Sequence, residues 1–490
     1  MSNKDKDNLI MELSEKRKAL IEKINKEKYS YIDITLKDNK ANELFYKKIP
    51  QTFNFPDDFY YNLSMKYKKD IENHEFFKII QKMPKGSLLH HHMTDCIDID
   101  WISKEIMKEE NLKNIYVRKF RNKYDILIFT KKPDEKEPNF DKPFKNIIEE
   151  YLKENKDKTI YDYFHSKLTM LPEDLENAKS NEDAWKVFMP KYFFCYYLIF
   201  NKKFYKQHVR NTFMQCINDK IFRFETRLSP GDILDDNFEP ISLDEEFEIY
   251  KNELDYINSS LKLEPKFTFG IIATIMKYNK TDESLKNGIQ YIIDLQKKYP
   301  DLICGIESFE NKNYIRNYHD LTPVMITNNS PQLPWIVHAG ETIKRINYNL
   351  LDAYLIGAKR FGHSVNLFKI GNLSEYIKKK GIVLEINPIS NQTLRLIRDL
   401  RIHPCIGYHN NGIKICINND DPTLYNTKGV CYDFFVAFAA MEFNLIDFKC
   451  FGINSIDGAQ ISEELKNKYK VKFLEDWDEF LDFFIKNYEN

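Results

Sequence analysis

The sequence predicts an α/β fold, a (β/α)8 TIM-type barrel with an N-terminal helical extension and a charged insertion after the first strand. Three observations predict it. From Met83 onward, short apolar runs alternate with helix-length stretches, there are eight such runs, and polar residues gather at their C-terminal ends. A parallel barrel carries its active site on that rim.

In chain order, residues 1–83 form the first region. Leu9, Leu13, Leu20 and Ile24 recur at helical spacing among alternating charges, the pattern of an exposed amphipathic helix. The rest of this region shows mixed helix and loop signals without a catalytic-looking cluster, so its expected role is assembly. Residues 84–490 form the barrel, interrupted at about 112–160 by a strongly charged stretch with prolines at 133, 138 and 143, which reads as a loop or small subdomain. The eight expected strands are SLLHHH, IFRFETRLS, KFTFGIIATI, LICGIES, WIVHAGE, KRFGHS, GIVLEINPIS and IKICINNDD.

At 490 residues the chain is long enough for one large domain with appended helices. Lys plus Arg number 73 against 74 for Asp plus Glu, so no net field favours nucleic acid or a membrane surface, and a small-molecule partner is expected. The most apolar stretch, 192–200, is too short to cross a bilayer, which takes roughly 20 residues. The opening MSNKDKDNLIMELSEK carries no secretory pattern, so a cytoplasmic protein is expected. Eight scattered cysteines without paired short spacings read as reduced thiols.

Four clusters carry potential chemistry. Alternation along the first strand points His90 and His92 to one face, a spacing that suits two metal ligands. Alone, H-x-H is equally a polar strand end. His338 and Glu341 sit where the fifth run leaves the sheet, as a ligand and a proton carrier, or simply as a helix start. His363 closes the sixth run and alone could be a buried core histidine. Asp420 and Asp421 end the eighth and alone read as a turn or cap. Because all four fall on one expected rim, the functional reading outweighs its parts.

Three histidines and one aspartate suit Zn²⁺ with room for a water, whose pKa zinc can lower to about 7. Attack on C6 of an aminopurine needs a proton at ring nitrogen N1 and then on departing ammonia, and Glu341 can serve both steps. His363 is placed to polarise the attacking oxygen and Asp421 to orient the base edge.

With these residues in view, the chain resembles the adenosine deaminase superfamily, and more closely its adenosine deaminase-related growth factor branch. MPKGSLLHHH, HAGET, RFGH, LEINPISNQ, DLRIHP and NNDDP are similar to that family's motifs in the same order, from about Met83 to the C-terminus. The resemblance implies one zinc per chain on His90, His92, His338 and Asp420, catalytic roles for Glu341 and His363, and a purine contact from Asp421. It implies that Trp185 lines the nucleoside pocket, the alternative being a core tryptophan. Glu225 and Arg227 resemble the family's E-x-R strand and read as structural. The branch's N-terminal region dimerises, which implies a homodimer through residues 1–83.

Departures lie on the substrate side. Met93 stands where the branch has an aspartate, Ser364 replaces a glycine, an ungapped reading puts Glu310 at the loop that contacts purine N3, and a loose one puts Tyr278 at a pocket histidine. The reading is hydrolytic deamination of adenosine or a related adenine nucleoside. The alternatives are a same-fold metal hydrolase for another aminopurine, a nucleotide or a cyclic amide, and a catalytically silent binding or signalling protein.

Overall fold

The computed structural model describes residues 3–121, 123–133, 141–276, 281–309, 318–327, 330, 333–342 and 348–489. All eight runs expected as strands are strands: β1 (Gly86–Leu88), β5 (Ile221–Leu228), β6 (Thr268–Met276), β7 (Ile303–Phe309), β8 (Ile336–Ala339), β9 (Arg360–His363), β10 (Val383–Ile386) and β11 (Ile415–Ile417). They form two parallel four-stranded sheets, β1-β5-β6-β7 and β11-β10-β9-β8. The sheets meet at both edges. Ile306 bridges Trp335 at one seam, and His91 bridges Asp420 at the other. At the second seam Asp420 N–H donates to His90 C=O at 3.2 Å and His92 N–H to Asp420 C=O at 3.0 Å.

The parallel strands are covered by helices such as Lys202–Asn218, Leu243–Leu261 and Asp282–Lys298. Each of these begins at an Asn, Ser or Thr whose side chain accepts an N–H of the first turn. One face of β5 is unusual. Arg223, Glu225 and Arg227 alternate along it and are all buried, which is tolerable only because each finds an opposite charge.

The region before β1 is helical and is more than an appendage. A capping box of Thr35 and Asp38 starts the helix Leu36–Lys48. Buried Asp38 also accepts from Lys449 Nζ at 2.6 Å and Trp477 Nε1 at 2.8 Å, nailing that helix to the C-terminal helices. Phe45 and Phe76 pack on Phe438. By contrast the first helix, Asn3–Lys28, leaves Met11, Leu13, Leu20 and Ile24 between 50% and 64% exposed.

The charged insertion contains its own antiparallel sheet, ordered β3-β2-β4 from β2 (Ile115–Phe120), β3 (Tyr124–Phe129) and β4 (Lys142–Pro143). Lys119, Lys123 and Asp125 are exposed and Asp141 is buried against Arg118, while Ile126, Leu127, Ile128 and Phe129 are buried, with β3 packed on the helix Asn181–Ile199. All eight cysteines are free thiols, six of them buried. Among the described residues, no helix is long and apolar enough to cross a membrane.

Candidate active site

Each of the four expected clusters sits at a strand end, and residues from all four converge. His90 Nε2 lies 3.1 Å from Asp420 Oδ1, His92 Nε2 lies 3.2 Å from the same oxygen, and His363 Nε2 lies 3.8 Å from Asp420 Oδ2. The His90 ring centroid is 4.6 Å from that of His338 and 4.9 Å from that of His363. Donor atoms of His90, His338, His363 and Asp420 all fall within 4.8 Å of one another, and a second group joins His92, Asp420 and Asp421. Proximity alone therefore does not separate His92 from His363 as a ligand.

The local backbone is shaped for this convergence. His363 and Asp420 have φ of 65° and 56°, left-handed values that cost an L-residue roughly 1–2 kcal/mol and cluster at functional positions. Gly362 must lack a side chain, since a Cβ there would come within 2.7 Å of His90 Cε1. Asn418, just past β11, accepts from the N–H groups of Leu89 at 2.9 Å and His90 at 3.1 Å, which pins the end of β1 beside Asp420.

Beneath the histidines lies a charged layer. His90 Nδ1 contacts Glu385 Oε2 at 2.8 Å, and His338 Nδ1 contacts Glu307 Oε1. Ionised carboxylates only accept, so in the neutral rings both protons sit on Nδ1 and both Nε2 lone pairs face the cluster. Arg227 ties the two carboxylates together, with Nη2 2.6 Å from Glu385 and Nε 2.9 Å from Glu307. Arg360 joins Glu385 to Glu225, each at 2.6 Å.

Electrostatics follow from this layer. Burial opposes ionisation of Glu307, but His338 and Arg227 outweigh it and hold the carboxyl down to about 2. Burial holds His338 down to about 4 against the pull of Glu307, so the pair is a neutral imidazole on a carboxylate. Glu385 stays well below the usual carboxylate range because Arg227 and Arg360 overcome its burial. Asp420 is also held low against burial, by His90 and His363.

The donor set fits a divalent cation. With its proton committed to Glu385, His90 turns a buried Nε2 lone pair onto Asp420 Oδ1, acceptor against acceptor, and finds no hydrogen-bond partner there. A shared positive charge relieves that repulsion. Burial and Arg227 oppose protonation of His90, yet Asp420 and Glu385 raise its pKa overall, so a proton on Nε2 and a cation compete for the same position beside Asp420. Imidazoles and one carboxylate are borderline ligands of the kind that suit zinc.

Glu341 follows Gly340, whose φ of 78° turns the chain off β8, and its side chain is half-buried. Its charge reaches the Tyr425 hydroxyl, which donates to Asp421 Oδ2 at 3.0 Å, so Glu341 and Asp421 share one neighbourhood. Trp185 lies on the helix Asn181–Ile199, edge-on to Phe188, and that helix packs over Met93–Asp95. The Met93 side chain is fully buried in the apolar core. Ser364 adopts a φ of 51°, the conformation in which glycine is at ease. Glu310 and Tyr278 lie outside the described residues.

Sequence reasoning missed Glu307, Glu385, Asn391 and Asp95. The first two left a signal, a glutamate inside an otherwise apolar strand. Asp95 is fully buried beside Asp421, and the pKa of each is raised well above the ordinary value, first by burial. Nothing in the spacing marked it.

The family model described as adenosine deaminase matches residues 158–475. Adenosine deaminase 2 of Dictyostelium discoideum is 28% identical over 525 residues, covering 100% of this chain and 90% of its own. Adenosine deaminase 2 of Homo sapiens is 25% identical over 446 residues, covering 89% and 85%. Among solved structures, Arabidopsis ADAL complexed with GMP matches with a TM-score of 0.56 at 15% identity, over 81% of this chain and 98% of its own. A zinc-bound amidohydrolase from Burkholderia ambifaria gives 0.55 at 16% identity, over 84% and 94%. These last two are likenesses of fold. With the family model spanning well over half the sequence, the chain belongs to the adenosine deaminase family, on its adenosine deaminase-related growth factor branch, and is an adenosine deaminase-like hydrolase.

Proposed function

We propose that this chain catalyses zinc-dependent hydrolytic deamination of adenosine or a related adenine nucleoside, on a closed (β/α)8 barrel. The observation that carries the reading is the convergence of His90, His338, His363 and Asp420, whose donor atoms all lie within 4.8 Å of one another, with His90 Nδ1 held by Glu385. His90, His92, His338 and Asp420 would hold the zinc, which when bound supplies a water nucleophile at neutral pH. His363 holds the attacking oxygen through Nε2–H. Glu341 delivers a proton to N1 as the new C6–O bond forms, is reprotonated from the attacking oxygen, and gives that proton to the amino nitrogen as the C6–N bond breaks, leaving the C6 carbonyl and ammonia. Asp421 hydrogen-bonds the base edge, and Trp185 lines the pocket. The products are inosine, or the corresponding nucleoside, and ammonia.

The test is ammonia release from adenosine, 2′-deoxyadenosine, methylthioadenosine, AMP and adenine, with metal content measured on the same protein. Turnover of a nucleoside that vanishes in Glu341→Gln supports the reading. Turnover of AMP alone transfers it to nucleotides, in keeping with a buried Met93 where the branch has an acid. A zinc-loaded protein that turns over none of the five refutes it. The apolar residues exposed along Asn3–Lys28 support a homodimer through that helix, and Leu20→Glu is expected to yield monomers by light scattering.

A further inference from the structure

We propose that His403 and Asn391 are positioning residues that fix the tautomer of His363, so that His363 offers the reaction centre an N–H instead of a lone pair. The proposal rests on the placement of His363 in the active site, but its first test needs no turnover.

The argument starts from an atom with only one possible role. The backbone N–H of Cys405 can only donate, and it points at His403 Nδ1 at 3.1 Å. That nitrogen therefore carries a lone pair, and the proton of the neutral ring lies on Nε2. Burial holds His403 down to about 3, so the ring stays neutral throughout the working pH range. His403 Nε2–H donates to Asn391 Oδ1 at 3.0 Å, which settles which way the carboxamide faces. The NH2 end of Asn391 then donates to His363 Nδ1 at 3.0 Å, and Asn387 Nδ2 approaches the same nitrogen at 3.4 Å. With Nδ1 accepting, the His363 proton must lie on Nε2, on the side of Asp420 Oδ2.

The consequence is a sorting of like residues. Carboxylates on His90 and His338 force Nδ1–H and aim lone pairs inward, whereas an amide on His363 forces Nε2–H and aims a proton inward. An unanchored Asn391 could rotate by half a turn, place oxygen on His363 Nδ1, and so turn a further lone pair onto the cluster. His403 forbids that rotation, because its N–H would then face an NH2. All four side chains are buried, so water offers no cheap substitute partner.

The first experiment is two-bond ¹H–¹⁵N correlation of the histidine rings in the metal-free full chain. We expect Nε2–H at both His363 and His403 in the wild type. In His403→Leu and Asn391→Asp the His363 proton is expected to shift toward Nδ1, and the metal-loaded variants to lose about 10²–10³-fold in kcat with little change in KM. His403→Gln keeps a donor toward Asn391 Oδ1 and should retain the wild-type tautomer and most of kcat. A wild-type His363 protonated on Nδ1, or an unchanged tautomer in both disruptive variants, overturns the proposal even if those variants are less stable. The expected tautomers without turnover of any adenine compound leave this proposal standing and remove the substrate reading.

Discussion

Two walls of one histidine cluster are built from opposite materials. The layer beneath His90 and His338 is ionic, with Glu307 tied to Glu385 by Arg227, and Glu385 to Glu225 by Arg360. The wall behind His363, formed by Asn387, Asn391 and His403, is neutral, made of two carboxamides and an uncharged imidazole. The difference teaches how one side-chain type is given two jobs. A metal ligand gains basicity from an anion at its back, while a proton donor must have its remote nitrogen occupied by an N–H. Elsewhere, between the helix Leu243–Leu261 and the turn at Gly231, lies a natural control: Glu246 is buried as deeply as Glu307 but has no arginine partner among the described residues.

The largest expected effect breaks the ionic wall. Arg227→Met leaves Glu307 and Glu385 buried with reduced compensation, and stability should fall by about 3–5 kcal/mol. Equilibrium unfolding in denaturant measures it, and a loss below 1 kcal/mol would mean that the layer relaxes or hydrates without its arginine.

Glu246 shows what a buried carboxylate does without such a partner. Burial pushes it up to about 7, against the backbone N–H of Gly231 at 2.7 Å and the Tyr250 hydroxyl at 3.1 Å, which favour the ionised form. Its folded pKa lies above its ordinary value, so between pH 4.5 and about 7 the folded state binds more protons. Its contribution is therefore favourable at low pH and is lost as pH rises through that window, on the order of 3 kcal/mol in all. Glu246→Gln should flatten the fall of thermal stability across this range and be the more stable protein at pH 8. An unchanged pH slope would show that Glu246 is already hydrated.

A third substitution separates the two walls. Glu385→Gln replaces the anion behind His90 and should weaken zinc binding about 10- to 100-fold in chelator competition. Asn391→Leu, on the neutral wall, should leave that affinity within a few-fold. Equal losses from both would mean that His363 is itself a ligand and that the division of roles is wrong.

The fold and the rim were legible because both are written in local patterns. Eight apolar runs with polar ends are visible as text, and so are His90, His92, His338, His363 and Asp420 at those ends. What lies behind them was not legible. Glu385 meets His90 across 295 positions and His403 meets Asn391 across 12, contacts that only the closed arrangement of strands and loops creates. The insertion misleads differently: its charges dominate the composition while the buried face of β3 is only four residues long. Met93 shows the limit of motif transfer, since its side chain packs into the core and the acid of that neighbourhood is Asp95.

The smallest expected effect tests the strain stored on the neutral wall. Ser364 follows His363 with a φ of 51°, and its hydroxyl is buried without a partner. A left-handed backbone costs an L-residue roughly 1–2 kcal/mol, part of which glycine gives back through its freer unfolded chain. Ser364→Gly should therefore stabilise the protein by about 1 kcal/mol and leave the tautomer of His363 unchanged, because Asn391 and not the backbone sets it. Gly362→Ala, two residues earlier, should do the reverse, since its Cβ would come within 2.7 Å of His90 Cε1 and displace that proposed metal ligand. If Ser364→Gly instead lowers kcat at constant metal content, the serine hydroxyl has a role in the site that its burial conceals, and the neutral wall extends one residue further than His363.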